Sequence, residues 1–204
     1  MRKTYQKTTP KVKNGKTQRK NNSKQTPNYW NTPQKEVIID RQSPGQGFKH
    51  FLKKKDIRQF IEIIPNWDVL SEDLHAIILS EGNDSYFGWC NHQGIIAITA
   101  WDREMDIEFH KDFVKEHEQL LNRLHIKRTP TDDDYLLLEF NEDQIKAFQL
   151  LHIFLHELGH HHDRIHTKNK KHIARGENYA ENYAYEWEEK IWYDYEEVFG
   201  VIGA

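Results

Sequence analysis

Apolar residues recur at helical spacing through Ile145, Phe148, Leu151, Leu155 and Leu158, a stripe that predicts a helix laid against a core. A second long helical pattern starts near Glu177 and runs through Trp187 and Ile191 to about Val198. Further upstream, Phe48 to Ile64 reads as an amphipathic helix on Phe51, Leu52, Ile57, Phe60, Ile61 and Ile64, with Pro65 as its stop. Phe109 to Leu124 reads as another helix. Leu74–Leu79, Tyr86–Cys90, Ile95–Ala100 and Tyr135–Phe140 read as short strands, with Gly82, Gly88 and Gly94 at the turns. The run Asp132–Asp134 after Pro130 is expected to be a solvated loop. Helix, strands, helix, strand and two closing helices predict an α+β domain.

The first closing helix carries His156-Glu157-Leu158-Gly159-His160, an H-E-x-x-H pattern. Residues four apart lie on one helical face about 6 Å apart along the axis, so His156 and His160 can offer two imidazoles to one zinc ion. Glu157, about 100° round the helix, can act on a water there without ligating the metal. With 13 His and 18 Glu in 204 residues, the bare pattern arises by chance with a probability of about 0.07, so its context has to carry the argument. Both histidines sit at the edge of an apolar stripe, where unpaired imidazoles are costly unless bonded to something. A metal satisfies both.

A catalytic zinc takes a third protein ligand and leaves its fourth position open. Three candidates follow the motif. Glu177 opens the last helical pattern, with Glu181 four residues on and on the same face; Glu177 would ligate while Glu181 accepts a hydrogen bond from a ligand imidazole and sets its tautomer. His166 completes H-E-x-x-H-x-x-D-x-x-H, which looks like the metzincin motif. Asp163, however, replaces the glycine whose turn lets the third histidine reach the metal, and no methionine follows the motif. Asp163 itself either hydrogen-bonds a ligand imidazole or is a solvated charge. His152 extends the row one turn upstream and is expected to serve helix packing or the substrate side. Tyr179, Tyr183, Arg175 and His172 are the local candidates for an oxyanion donor.

Residues 150–200 resemble the gluzincin metallopeptidases, whose H-E-x-x-H helix is followed by E-x-x-x-D or a variant such as E-x-x-A-D/N-x-F-A. His156, Glu157 and His160 match the first motif, Glu177 the ligand glutamate, and Ala180, Tyr183 and Ala184 the small and aromatic positions, while Glu181 stands where many members carry Asp or Asn. The look is similar to compact bacterial ImmA/IrrE-type proteases. The resemblance implies a zincin-like fold, with a small sheet packed on the active-site helix and a ligand helix after it. It also implies a zinc metallopeptidase with His156, His160 and Glu177 as ligands and Glu157 as general base, acting on peptide or protein substrates. An edge strand holding extended substrate is expected beside the motif helix, and Ile95–Ala100 is read either as that strand or as an ordinary core strand; Trp89 and Trp101 are expected in the core.

Composition draws the outer limits. A chain of 204 residues, 37% apolar, supports one modest core. The single cysteine, Cys90, excludes an internal disulfide and suits a reducing compartment. No run of 18 apolar residues and no apolar leader stand in the sequence, so no membrane association and a cytoplasmic location are expected. Residues 1–35 carry ten Lys or Arg and no acid, leaving 19 basic against 32 acidic groups in 36–204. Residues 1–47 are therefore expected to be a disordered basic tail, serving either for non-specific nucleic acid contact or as a solubilising or loosely targeting segment, and 48–204 the folded domain. The alternative reading is a regulatory or DNA-associated zinc protein with limited or no proteolysis, or a structural zinc protein closed by a fourth ligand.

Overall fold

The computed structural model of the chain describes residues 12–13, 16–17, 28–167 and 174–202, and mixes helices with small sheets in an α+β arrangement. Val12–Lys13 (β1) pairs antiparallel with Lys16–Thr17 (β2). The elements that follow are Ile38–Arg41 (β3), Phe48–Lys49 (β4), Lys54–Ile63 (α1), Trp67–Leu70 (α2) and Ala76–Ser80 (β5). Gly88–Asn91 (β6) and Ile95–Thr99 (β7) complete a four-stranded sheet of order β3-β5-β7-β6, parallel except for β6. Every residue of β5 and β7 is buried. Central strands covered on both faces show unbroken Ile, Leu and Ala instead of alternation.

Gly94 makes the β6–β7 turn with φ +71°, and a Cβ there would lie 2.0 Å from the Asp73 carbonyl oxygen, so only glycine fits. Trp101–Asp102 (β8) pairs with β4. Asp106–His110 (β9), Lys127–Pro130 (β10) and Tyr135–Glu139 (β11) form an antiparallel sheet of order β10-β11-β9. Between β9 and β10 stand two short helices, Lys111–Glu116 (α3) and Glu118–Arg123 (α4), broken at His117.

The C-terminal half is helical. Asn141 caps Glu142–Phe148 (α5) and forms a capping box with Gln144. The chain then continues through a π-helical segment, Gln149–Phe154, into Leu155–Ile165 (α6), and ends in Glu177–Phe199 (α7). Phe60, Phe154 and Tyr195 meet edge to face at 5.6 and 6.2 Å, tying α1, the π segment and α7 into one core. A second aromatic group centres on the buried Trp101, with Phe140 and Phe148 at 5.1 and 5.9 Å.

Three boundaries differ from the sequence reading. The folded part begins before residue 48, because Ile38–Arg41 is an edge strand hydrogen-bonded to β5; the short apolar run Val37-Ile38-Ile39 between Glu36 and Asp40 gave no alternation to read. Of the expected tail, residues 1–11, 14–15 and 18–27 lie outside the described residues. Phe48–Lys49 pairs as a strand, and the helix expected from residue 48 begins at Lys54, where Asp56 accepts from the Lys53 backbone N–H. Phe109 and His110 belong to β9, since Phe109 stacks on Phe113 at 4.2 Å across the strand-helix junction. Ile95–Ala100 is not at an edge either: β7 lies between β5 and β6, and the edge strand beside α6 is β6. No helix among the described residues is long and apolar enough to cross a membrane.

Glu188 on α7 is 2% exposed, with Arg123 3.4 Å away and the Arg123 guanidinium 3.7 Å over the Trp192 ring. Burial pushes its carboxyl up from the ordinary 4.5 to about 7, against the pull of Arg123. A raised carboxyl favours the folded state most below its ordinary value, and that contribution is lost as pH rises through about 7. Glu188→Gln is therefore expected to be the more stable protein at about pH 8, by on the order of 1–3 kcal/mol, with the difference shrinking towards pH 5. Thermal unfolding of both proteins across this range checks it.

Candidate metal centre

The motif histidines stand one turn apart on α6, their rings edge to face at 4.7 Å. Helix α7 crosses above them and brings Glu177, in its first turn, onto both. Glu177 Oε2 lies 3.2 Å from His156 Nε2 and 3.3 Å from His160 Nε2. Zinc bonds of about 2.0–2.1 Å at the tetrahedral angle set ligand atoms about 3.3 Å apart, so Glu177 stands at zinc-ligand spacing from both imidazoles, and the three donor atoms lie within 4.8 Å of one another.

Tautomers sharpen this test. His156 Nδ1–H donates to Glu181 Oε2 at 2.9 Å, which leaves Nε2 of the neutral ring as a lone pair aimed at the Glu177 carboxylate. Two acceptors at that distance repel each other unless a cation lies between them, so the donor set fits zinc. Burial opposes charge on His156, but the Glu181 hydrogen bond and the nearby carboxylates outweigh it and hold its pKa above the usual value. His160 goes the other way, lowered by burial with His156 adding to the effect.

Glu157 is buried at 7% exposure beneath β6, and its Oε2 has no hydrogen-bond partner. A Cβ on Gly88 would come 2.9 Å from Glu157 Oε1 and 2.8 Å from Ile153, so glycine is what lets the edge strand lie over this carboxylate. Burial pushes the Glu157 carboxyl up to about 7, with Glu177 adding and His156 opposing. A carboxyl near neutrality can accept and return a proton. The cleft in front measures about 580 Å³ and is lined by Gly88–Cys90, Phe113, the motif residues, Glu177 and Asn178, within the size range of ligand pockets.

Two histidines stand behind Glu181. His117, at the α3–α4 break, and His152, in the π segment, point Nε2 at Nε2 across 2.9 Å, and Glu181 Oε1 lies 3.3 Å from the first and 3.7 Å from the second. His152 thus lies on the cleft wall as well as in the helix packing. Sequence reading missed His117; the available signal was a histidine four residues after Phe113, in the apolar stripe that continues through Leu120 and Leu121.

The other candidates fall elsewhere. His166 ends α6 stacked on His162 at 4.0 Å, with Nδ1 on the His162 carbonyl, and does not reach the centre. Asp163 is fully buried and accepts the Arg175 backbone N–H at 2.7 Å, holding the approach to α7. Tyr179 pairs with His162 Nδ1 at 2.7 Å, Arg175 lies 4.7 Å over the Tyr179 ring, and Tyr183 is buried. None of these lines the cleft, and His172 lies outside the described residues. Trp101 is in the core, whereas Trp89 is half-buried on the cleft wall.

The centre depends on close approach of α7 to α6 at Gly159. A Cβ there would meet Ala180 Cα at 2.9 Å, Tyr183 Cβ at 3.0 Å and the Ala180 carbonyl oxygen at 3.1 Å. Gly159→Ala must therefore push α7 and Glu177 away. We expect a net destabilisation of about 1–2 kcal/mol despite the gain of about 1 kcal/mol in helix propensity, and roughly tenfold weaker zinc binding. Thermal melts and competitive zinc titration read the two effects. Compared with known proteins, the chain matches no protein-family model, no curated protein and no solved structure.

Proposed function

We propose that this chain is a zinc-dependent metallopeptidase of gluzincin type, with a zincin-like domain similar to that of compact ImmA/IrrE-like proteases. The observation that carries the proposal is one glutamate oxygen, on a separate helix, at ligand spacing from both histidines of an H-E-x-x-H motif whose glutamate is buried at a cleft. When bound, zinc would supply a Lewis acid that activates a water and polarises a carbonyl.

The protein's own groups account for the rest. His156, His160 and Glu177 hold the ion, and Glu181 keeps the His156 Nδ1 proton so that Nε2 is free to bind. Glu157 takes the proton of the attacking water and delivers it to the leaving amide nitrogen. Strand β6 has a ladder partner on only one side among the described residues and lines the cleft, which suits an extended peptide laid along its outer edge. A cytoplasmic site of action belongs to the same proposal, since the lone Cys90 is a free thiol.

Glu177→Gln is expected to lower tightly held zinc by about one ion per chain, whereas Glu157→Gln keeps the zinc and loses peptide hydrolysis by a factor of at least about 10². Elemental analysis and digestion of a peptide library followed by mass spectrometry read the two quantities. Zinc content indifferent to Glu177→Gln would sink the centre. A zinc-loaded wild type that cleaves nothing in the library would sink the peptidase assignment alone.

A further inference from the structure

The pair behind Glu181 is hard to account for by hydrogen bonds alone. His117 Nδ1 lies 2.8 Å from the Phe113 carbonyl oxygen and must donate to it, because a carbonyl only accepts. In the neutral ring His117 Nε2 is then a lone pair, and it faces His152 Nε2 at 2.9 Å and Glu181 Oε1 at 3.3 Å. A proton on His152 Nε2 would serve the histidine contact, but it would leave Glu181 Oε1 a buried acceptor without a hydrogen bond. A ring nitrogen fixed by donation from its other nitrogen to a backbone carbonyl is the usual arrangement of a metal-bound histidine.

We infer that His117, His152 and Glu181 form a second divalent metal site, beside and distinct from the His156–His160–Glu177 centre. Two imidazoles and one carboxylate are a donor set suited to zinc. The ligand atoms, 2.9, 3.3 and 3.7 Å apart, straddle the tetrahedral spacing of about 3.3 Å. All three residues border the cleft, so the fourth position opens towards it. Glu181 gives Oε1 to this site and Oε2 to His156, so the two sites are joined through a carboxylate and an imidazole instead of a shared ligand atom. The second ion would pin the α3–α4 break, the π segment and α7 together, and would fix the carboxylate that orients His156.

The test counts zinc on the full chain after dialysis against a chelator strong enough to strip exposed histidines such as the His162–His166 pair. The wild type is expected to keep about two ions per chain, and His117→Ala, His152→Ala and Glu177→Gln about one each. His117→Gln, which keeps a polar group in the same space, covers the case in which the alanine variant fails to fold. Cobalt substitution gives a second readout, in which loss of His117 should remove one set of visible absorption bands and leave the other. A count unchanged by His117→Ala, His152→Ala and His117→Gln overturns the site and leaves the pair joined by an N–H···N hydrogen bond. A count that falls with His117→Ala but not with Glu177→Gln upholds this site and overturns the first centre. A chain that keeps no zinc overturns both.

Discussion

Helix α7 can lie close enough on α6 to set two carboxylates over a row of histidines because Gly159 leaves the space. Ala180 and Tyr183 fill that space, with Ala180 Cα 2.9 Å from where a Cβ on Gly159 would be. From this contact the i, i+4 repeat of α7 does the remainder: Glu177 arrives over His156 and His160, and Glu181, one turn on, reaches His156 and the His117–His152 pair. The small residues of E-x-x-A are therefore a distance constraint on the chemistry as much as a packing preference.

The arrangement stores electrostatic cost in the fold. His152 is held uncharged, its pKa pushed by burial down to about 3, while the Glu181 carboxyl is drawn down to about 2 by His156 and its neighbours despite burial. Glu157, beneath the edge strand, moves the opposite way. Three groups within a few residues on two helices are thus driven to different protonation states by where they point. Charge pairs buried this deeply contribute little net stability. Groups perturbed in this way cluster where chemistry is done, which supports the proposed function.

Much of the centre was legible because its residues sit on regular helices. Spacing alone put His156, His160, Glu177 and Glu181 on matching faces, and the structure brings these four together. His117 was not legible, since its place depends on a break between two short helices and on a strand, β9, that an apolar run beginning at Phe109 disguised as helix. The edge strand was misassigned for a related reason. Strand β7, apolar from Ile95 to Ile98, is conspicuous because it is buried on both sides, whereas β6, with Gly88 and Asn91 in four residues, has the weak pattern of a true edge.

The π segment explains why one uninterrupted apolar stripe could be read through residues 145–158 although the chain is not one regular helix. Its i→i+5 spacing inserts a residue into the turn, which rotates everything before it by about 100° relative to everything after it. All six residues, Gln149 to Phe154, are buried, so this stretch has no polar face and hence no phase for periodicity to register. The rotation has a consequence for the histidine row. His152 sits within the widened turn and meets His117, while His156 and His160, beyond it, keep strict α-helical register beneath Glu177. Of three histidines that the sequence spaces evenly, His152 thereby faces Glu181, His160 faces Glu177 and His156 meets both. A π turn is unfavourable without packing to hold it, and Gln149, whose side-chain amide donates to the Thr99 carbonyl at 2.9 Å, anchors this one to β7. The sheet thus fixes where the helix changes register, and through it which histidine faces which glutamate.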